Sequence, residues 1–223
     1  MLHATEDKLL EDNQITITGS QKDLFIEILK LISEAFDGNI QNNEATSRNY
    51  INAFMHSAVR IINQHFKRKL LKLTVENDLF GSLGFGKVDY AFLILLYAIL
   101  VTEAKALEMP QGIAQNLVQL HTASEKLKRK RNNTPALPAV FGIVSTGRSW
   151  RFICWNTSPG KPVVQLSKEY ICRFEGEMQD EMNVLQIIST ILYIQAKEMV
   201  RLVDNDEIEF NEPELVKRIR TSA

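Results

Sequence analysis

Two short stretches bring together residue types that hold metal ions and move protons: Lys87-Val88-Asp89-Tyr90 and Val101-Thr102-Glu103-Ala104-Lys105. In a strand, residues i and i+2 share a face, so Glu103 and Lys105 project together while Ala104 turns away. A hairpin over 87–105 that turns at residue 96 sets Asp89 directly opposite Glu103. Directly opposed side chains lie roughly 5 Å apart at Cβ. Two carboxylates at that spacing can share one Mg²⁺, whose oxygen ligands stand at about 2.1 Å. The chemistry this suits is metal-assisted phosphodiester hydrolysis, in which the ion polarises the phosphate and lowers the pKa of a bound water. Lys105 would orient that water or meet the developing negative charge. The same Glu-x-Lys also fits the plain solvated end of a strand, with a buried apolar strand pair before it.

Such a constellation needs a sheet to carry it and helices to cover it. Ser20-Gln21-Lys22-Asp23 reads as a capping box, and Leu24, Ile28, Leu31, Ile32 and Phe36 follow at helical spacing to a stop at Asp37-Gly38-Asn39. A second helix is expected over about 44–66, with Ile51, Phe54, Met55, Ala58 and Ile62 as its apolar stripe. Leu70 to Glu76 alternates as a strand does, and Gly81, Gly84 and Gly86 mark a loop. Pro110 opens a helix to about residue 129. Strands are expected at Ala139–Ser145 and Ser149–Trp155 around a Thr146-Gly147-Arg148 turn, with a further strand within 162–174. An amphipathic helix spans 180–203, and a short tail helix is expected near 212–220. Strand runs flanked by helices make an α/β (α+β mixed) chain with one central mixed sheet. The expected division is a polar segment at 1–19, one domain at 20–203 and an acidic tail at 204–223.

The segments GFGKVDYA, VTEAK, GIAQNLVQL and FGIVSTGRSWRF together resemble the nuclease domain of Crinkler-type effector proteins, over about residues 44–155. That domain is similar to the restriction-endonuclease-like (PD-D/E-x-K) superfamily, whose hallmark is an Asp on one strand and Glu-x-Lys on the next. The resemblance implies a central mixed sheet flanked by helices and a Mg²⁺- or Mn²⁺-dependent nuclease. Its catalytic residues would be Asp89, Glu103, Lys105 and Gln115. Asp89, Glu103 and the Ala104 backbone carbonyl would hold the metal, and Glu44 matches more weakly a carboxylate on the preceding helix. The partner implied is nucleic acid, DNA ahead of RNA, in the nucleus.

Around this core, Gln111, Gln115, Gln119, Thr122 and Lys126 recur at helical spacing as a polar stripe that fits either a phosphate backbone or plain solvent. Arg60, Lys67, Arg68 and Lys69, and the cluster of Lys126, Lys128, Arg129, Lys130 and Arg131, are candidate backbone contacts. The second cluster also suits nuclear localisation or a cationic helix end. Leu95-Leu96-Tyr97 lacks turn residues between the two site strands. A tip buried in a homodimer would account for that, as would a remodelled, catalytically inactive module that binds nucleic acid or protein.

A competing reading starts at Gly81-Ser-Leu-Gly-Phe-Gly86-Lys87, which satisfies the G-x-x-x-x-G-K of a nucleotide-binding P-loop. Residues 88–102 would then be a helix, and Asp89 and Glu103 would stand about 21 Å apart at 1.5 Å per residue. Val88, where a Mg²⁺-binding Ser or Thr belongs, argues against it. His3, His56, His65 and His121 show no ligand spacing, and Trp150 and Trp155 read as packing residues.

Composition narrows the rest. In 223 residues, 45% hydrophobic and 24% charged usage excludes disorder and low-complexity polymers. A chain of this length can bury about 70% of its unfolded surface without disulfide or metal staples. Cys154 and Cys172 are too few for a disulfide framework or a cysteine-rich zinc site. A net charge of -1 leaves the partner open. MLHATEDKLLEDN has no apolar core of a signal peptide, and the longest apolar run, Ala91 to Val101, has 11 residues against the roughly 20 of a membrane span.

Overall fold

The computed structural model describes residues 10, 12–38, 43–82, 84–94, 97–104, 109–126, 137–156 and 163–205. Helix α1 (Gly19–Ala35) has its N-cap at Thr18, two residues before the expected cap at Ser20. Thr18 Oγ1 accepts from the Gln21 backbone N–H, and Gln21 Oε1 accepts from the Thr18 N–H at 2.9 Å. The capping box is thus Thr18–Gln21 rather than Ser20–Asp23, whose carboxylate is one methylene shorter than the usual Glu or Gln. Ile15, ahead of the cap, is also docked. It is buried, and its carbonyl accepts from Gln186 Nε2 at 2.7 Å.

Helix α2 (Glu44–His65) begins at Asn43, whose Oδ1 accepts from the Thr46 N–H at 2.9 Å. Tyr50, Ile51, Phe54, Met55, Ala58, Ile61 and Ile62 form its buried face, wider than the expected stripe. Lys67 adopts φ 53°, and Arg68 N–H bonds back to the Asn63 carbonyl at 3.1 Å, closing the helix. Asn63 Oδ1 then accepts from both Leu70 and Leu71 N–H at 2.8 Å, steering the chain into the sheet.

Seven strands form one sheet in the order β1-β2-β3-β4-β5-β6, with β7 also on β5. They are β1 (Lys72–Gly81), β2 (Gly84–Ile94), β3 (Tyr97–Ala104), β4 (Ala139–Ser145), β5 (Ser149–Asn156), β6 (Val163–Leu166) and β7 (Tyr170–Ile171). Only β3 and β4 pair in parallel, and helix α3 (Met109–Lys126) makes the crossover between them. Helix α4 (Gln179–Asp204) closes the described chain. The chain is therefore α+β with a mixed sheet flanked by helices.

The helices cover both faces. Gly142 and Ser145 are three apart on β4 and point to opposite sides. Trp150 pairs with Ser145 and meets Phe54 of α2 at 4.6 Å between rings. A Cβ on Gly142 would instead sit 1.8 Å from Asn116 Oδ1 of α3. Glycine at 142 is what lets α3 approach the sheet so closely. Helix α2 packs against α1 and α4 on its own side.

The glycines expected to form a loop are built into a hairpin instead. Gly81 pairs with Gly84, Leu79 with Gly86 and Asp78 with Lys87. Residues 88–94 continue as strand, not helix. A P-loop needs a loop curled around phosphates and a helix after it, so the nucleotide-binding alternative is excluded. The expected tail helix near 212–220 lies outside the described residues. Among the described residues, no helix is long and apolar enough to cross a membrane.

Candidate active site

The register of the β2–β3 hairpin decides which residues meet. Near the turn, Ile94 pairs with Tyr97 and Leu93 with Ala98. Between Phe92 and Leu93 the register shifts, and beyond it Phe92 pairs with Leu100, Ala91 with Val101 and Tyr90 with Thr102. Ile99 is the extra residue of this bulge. One more step along the ladder places Asp89 beside Glu103. Without the bulge Asp89 would face Thr102, and Glu103 would fall on the opposite face. The expected opposition of Asp89 and Glu103 thus coincides with the backbone register, but it is reached by a bulge at Ile99 rather than by a turn centred on residue 96.

The Asp89 side chain is 16% exposed and lies against α2, where Arg48 Nη2 donates to its Oδ1 at 2.5 Å. The same nitrogen donates to Glu44 Oε1 at 2.8 Å, one turn earlier on the helix. Nη1 reaches Glu76 Oε1 of β1 at 3.4 Å. Val75 pairs with Tyr90 and Asn77 with Val88, so Glu76 stands across from Asp89. Its φ of 49° is a left-handed conformation in mid-strand, which costs a non-glycine residue about 1–2 kcal/mol. Burial pulls the Arg48 pKa down, but Asp89 and Glu44 together outweigh it and the net shift is upward. Burial also pushes the neighbouring Tyr90 phenol up to about 12, Arg48 opposing and Asp89 and Glu44 adding.

Glu44 and Asp89 are the described carboxylates that could hold a cation. Glu44 and Asp89, from distant parts of the chain, already share one positive nitrogen, so their oxygens converge on a single cationic point. Among the described residues no three His, Cys, Asp or Glu side chains make a complete ligand group. Mg²⁺ does not require one, because it keeps several waters and binds through one or two carboxylates. The Glu103 side chain and all of Lys105 lie outside what is described. The Ala104 backbone is the last residue of β3, at the same end of the sheet as Asp89.

The other expected residues separate. Gln115 is exposed on the second turn of α3. Gln119 and Thr122 are buried, and Asn116 Nδ2 donates to Gln119 Oε1 at 3.2 Å. The polar stripe is therefore not one solvent-facing band, and Gln119 is turned into the fold rather than toward a phosphate. Arg60, Lys67, Arg68 and Lys69 are exposed at the far end of α2. Glu44 and Lys67 stand about 35 Å apart at 1.5 Å per residue, so Lys67 cannot touch the same phosphodiester. Lys126 ends α3, while Lys128, Arg129, Lys130 and Arg131 lie outside the described residues. His65 packs on Phe66 and Tyr193, His121 on Trp155, and Trp150 is buried, as packing residues should be.

Sequence reasoning missed Arg48 and Glu76. The i,i+4 spacing of Glu44 and Arg48 was a usable signal, because that pair meets on any helix. Nothing in LTVEND announces a left-handed residue at Glu76.

No protein-family model and no curated protein matches the sequence. Two solved structures are similar over most of the chain. One is a DrdV–DNA complex, at 16% identity and a TM-score of 0.41, covering 76% of this chain and 14% of that one. The other is the type IIG restriction endonuclease BpuSI, at 14% identity and a TM-score of 0.42, covering 78% of this chain and 18% of that one.

Proposed function

We propose that this chain is a divalent-metal-dependent nuclease domain of the restriction-endonuclease-like kind, related to the Crinkler effector nucleases and hydrolysing phosphodiester bonds of DNA. The observation that carries the reading is the convergence of Glu44 and Asp89 on one cationic point, with Glu103 one ladder step beyond the Tyr90–Thr102 pair. In this reading Asp89, Glu103, the Ala104 carbonyl and Glu44 hold Mg²⁺ or Mn²⁺, which supplies charge to the phosphate and acidity to a water. Lys105, two residues beyond Glu103, orients that water and meets negative charge as it develops. Gln115, exposed on α3, contacts the phosphate or supports the site. The bulge at Ile99 holds Glu103 in step with Asp89. The cation cluster at residues 67–69, about a duplex turn from Glu44, contacts backbone away from the cut. The basic run at 126–131 supports a nuclear location, and the apolar sequence Leu95-Leu96-Tyr97, which lacks turn residues, supports a homodimer.

One observation favours a second reading, a non-catalytic binding module of the same fold. Arg48 already neutralises the two carboxylates that a metal would need. The deciding experiment is incubation of purified protein with plasmid DNA and with RNA, in Mg²⁺ or Mn²⁺ against EDTA, beside Glu103→Ala and Lys105→Ala. Metal-dependent cleavage that both variants lack is the expected result. Cleavage that survives both changes sinks the assignment, and folded wild type that binds DNA without cutting it favours the binding module.

A further inference from the structure

Three carboxylates from three separated stretches share one guanidinium. Nη2 of Arg48 stands between Asp89 and Glu44, the two side chains assigned above to the metal. Nη1 faces Glu76, which that assignment does not use. The guanidinium is thus split between two tasks. One nitrogen holds the position where a divalent ion would sit, and the other is tied to an outer carboxylate. Asp89 is the least exposed of the three at 16%, and Glu76 the most at 60%.

Two cations cannot occupy the Nη2 position together. An ion on the Asp89 and Glu44 oxygens would overlap that nitrogen, and like charges so close repel strongly. Two carboxylates so close repel each other, and the shared guanidinium holds them converged. Glu76, exposed and directly across β1 from Asp89, offers the guanidinium a partner that needs no metal.

We propose that Arg48 is the resident cation of this site and is exchanged for the divalent ion, with Glu76 as the carboxylate that retains Arg48 when it leaves Asp89 and Glu44. The proposal rests on the metal-site reading above and adds two positioning residues to it. Metal affinity is then set by a competition inside the protein. Removing Arg48 removes the competitor, whereas removing the Glu76 charge removes the competitor's alternative partner.

The test is Mn²⁺ titration of the full chain, read by electron paramagnetic resonance of free Mn²⁺ and by calorimetry, with no nucleic acid present. Arg48→Met is expected to bind Mn²⁺ about tenfold more tightly than wild type. Glu76→Gln is expected to bind about threefold more weakly, and to have no effect when combined with Arg48→Met. Equal affinity of wild type and Arg48→Met overturns the exchange. An equal loss from Glu76→Gln in both backgrounds makes Glu76 a direct ligand and overturns its assignment as the partner of Arg48. If Arg48→Met does not fold, unchanged affinity in Glu76→Gln, which alters an exposed side chain, still overturns the exchange. Absence of Mn²⁺ binding in every variant, Arg48→Met included, overturns the metal-site reading itself, an outcome distinct from the others.

Discussion

The β4–β5 hairpin pairs seven successive residues without a break, from Ala139 with Asn156 to Ser145 with Trp150. The β1–β2–β3 meander carries a bulge at Ile99 and a left-handed Glu76 in mid-strand. The contrast extends to polar groups. At the β4–β5 turn, Ser145 Oγ accepts from the Gly147 N–H, Thr146 Oγ1 from the Ser149 N–H and the Gly147 carbonyl from Trp150 Nε1, all buried. These bonds close the turn from within. At the meander's end a single guanidinium serves three carboxylates. Regular pairing suits stability, whereas strain and shared partners gather at functional sites. One half of the sheet is anchored by unbroken pairing, and the other carries the bulge, the strained residue and the shared guanidinium.

The sharpest way to break that contrast is to change the meander chemically and look for damage to the fold. Asp89→Asn and Glu103→Ala are each expected to reduce metal-dependent cleavage by about a thousandfold or more, since each removes a charge from the ion's position. Their denaturation midpoints should stay near that of wild type. Deleting Ile99 should abolish cleavage as fully while leaving both residues in the chain, because it turns Glu103 to the other face. Gel assays of plasmid nicking, beside circular dichroism melts, check all three. Cleavage at wild-type level after the deletion would separate the register from the activity.

The anchored half should respond in the opposite way. Gly142→Ala places a methyl 1.8 Å from Asn116 Oδ1 and 3.0 Å from Leu120 Cδ1. Urea unfolding is expected to show a loss of about 2–3 kcal/mol, the usual cost of overpacking. Mn²⁺ affinity should be unchanged, because α3 is pushed away from β4 and not from Asp89. Asn63→Ala is expected to cost about 1–2 kcal/mol, since it strips the side-chain acceptor from two backbone N–H groups at the entry to β1.

The two halves also differed in how well they could be read from sequence. Helices α2 and α4 and the β4–β5 hairpin follow apolar spacing and turn residues almost to the residue, because burial on one face forces those patterns. The register of residues 89 and 103 was expected from a plain turn at residue 96, whereas the ladder reaches Tyr90 opposite Thr102 through a bulge that no residue type announces. The cap fell at Thr18, two residues earlier, although Ser is the better isolated cap, because Gln21 completes a capping box only with Thr18. The glycines at 81, 84 and 86 fit a phosphate loop and a hairpin equally well, and long-range pairing chose the hairpin. Arg48 and Glu76 depend on tertiary contact and backbone strain, which local pattern does not carry.

The smallest effect should come from Cys172, and it separates the halves by pH. Its thiol is fully buried beside Trp150, and its backbone N–H donates to the Arg148 carbonyl at 2.8 Å. Burial above all, and then the Glu181 and Asp180 charges, push the thiol well above its ordinary value of 9.0. For an acid that is neutral when protonated, a raised folded pKa means the unfolded chain loses its proton first. The stabilisation is complete below pH 9 and is lost as pH climbs beyond it. Native protein at pH 8 should therefore leave Cys172 unmodified by an aromatic disulfide reagent, and so should buried Cys154. Urea midpoints should be flat from pH 7 to 9 and decline above, with a shallower decline in Cys172→Ser. If the decline is as steep in that variant, the alkaline sensitivity belongs to other groups, and the anchored half is not where pH acts.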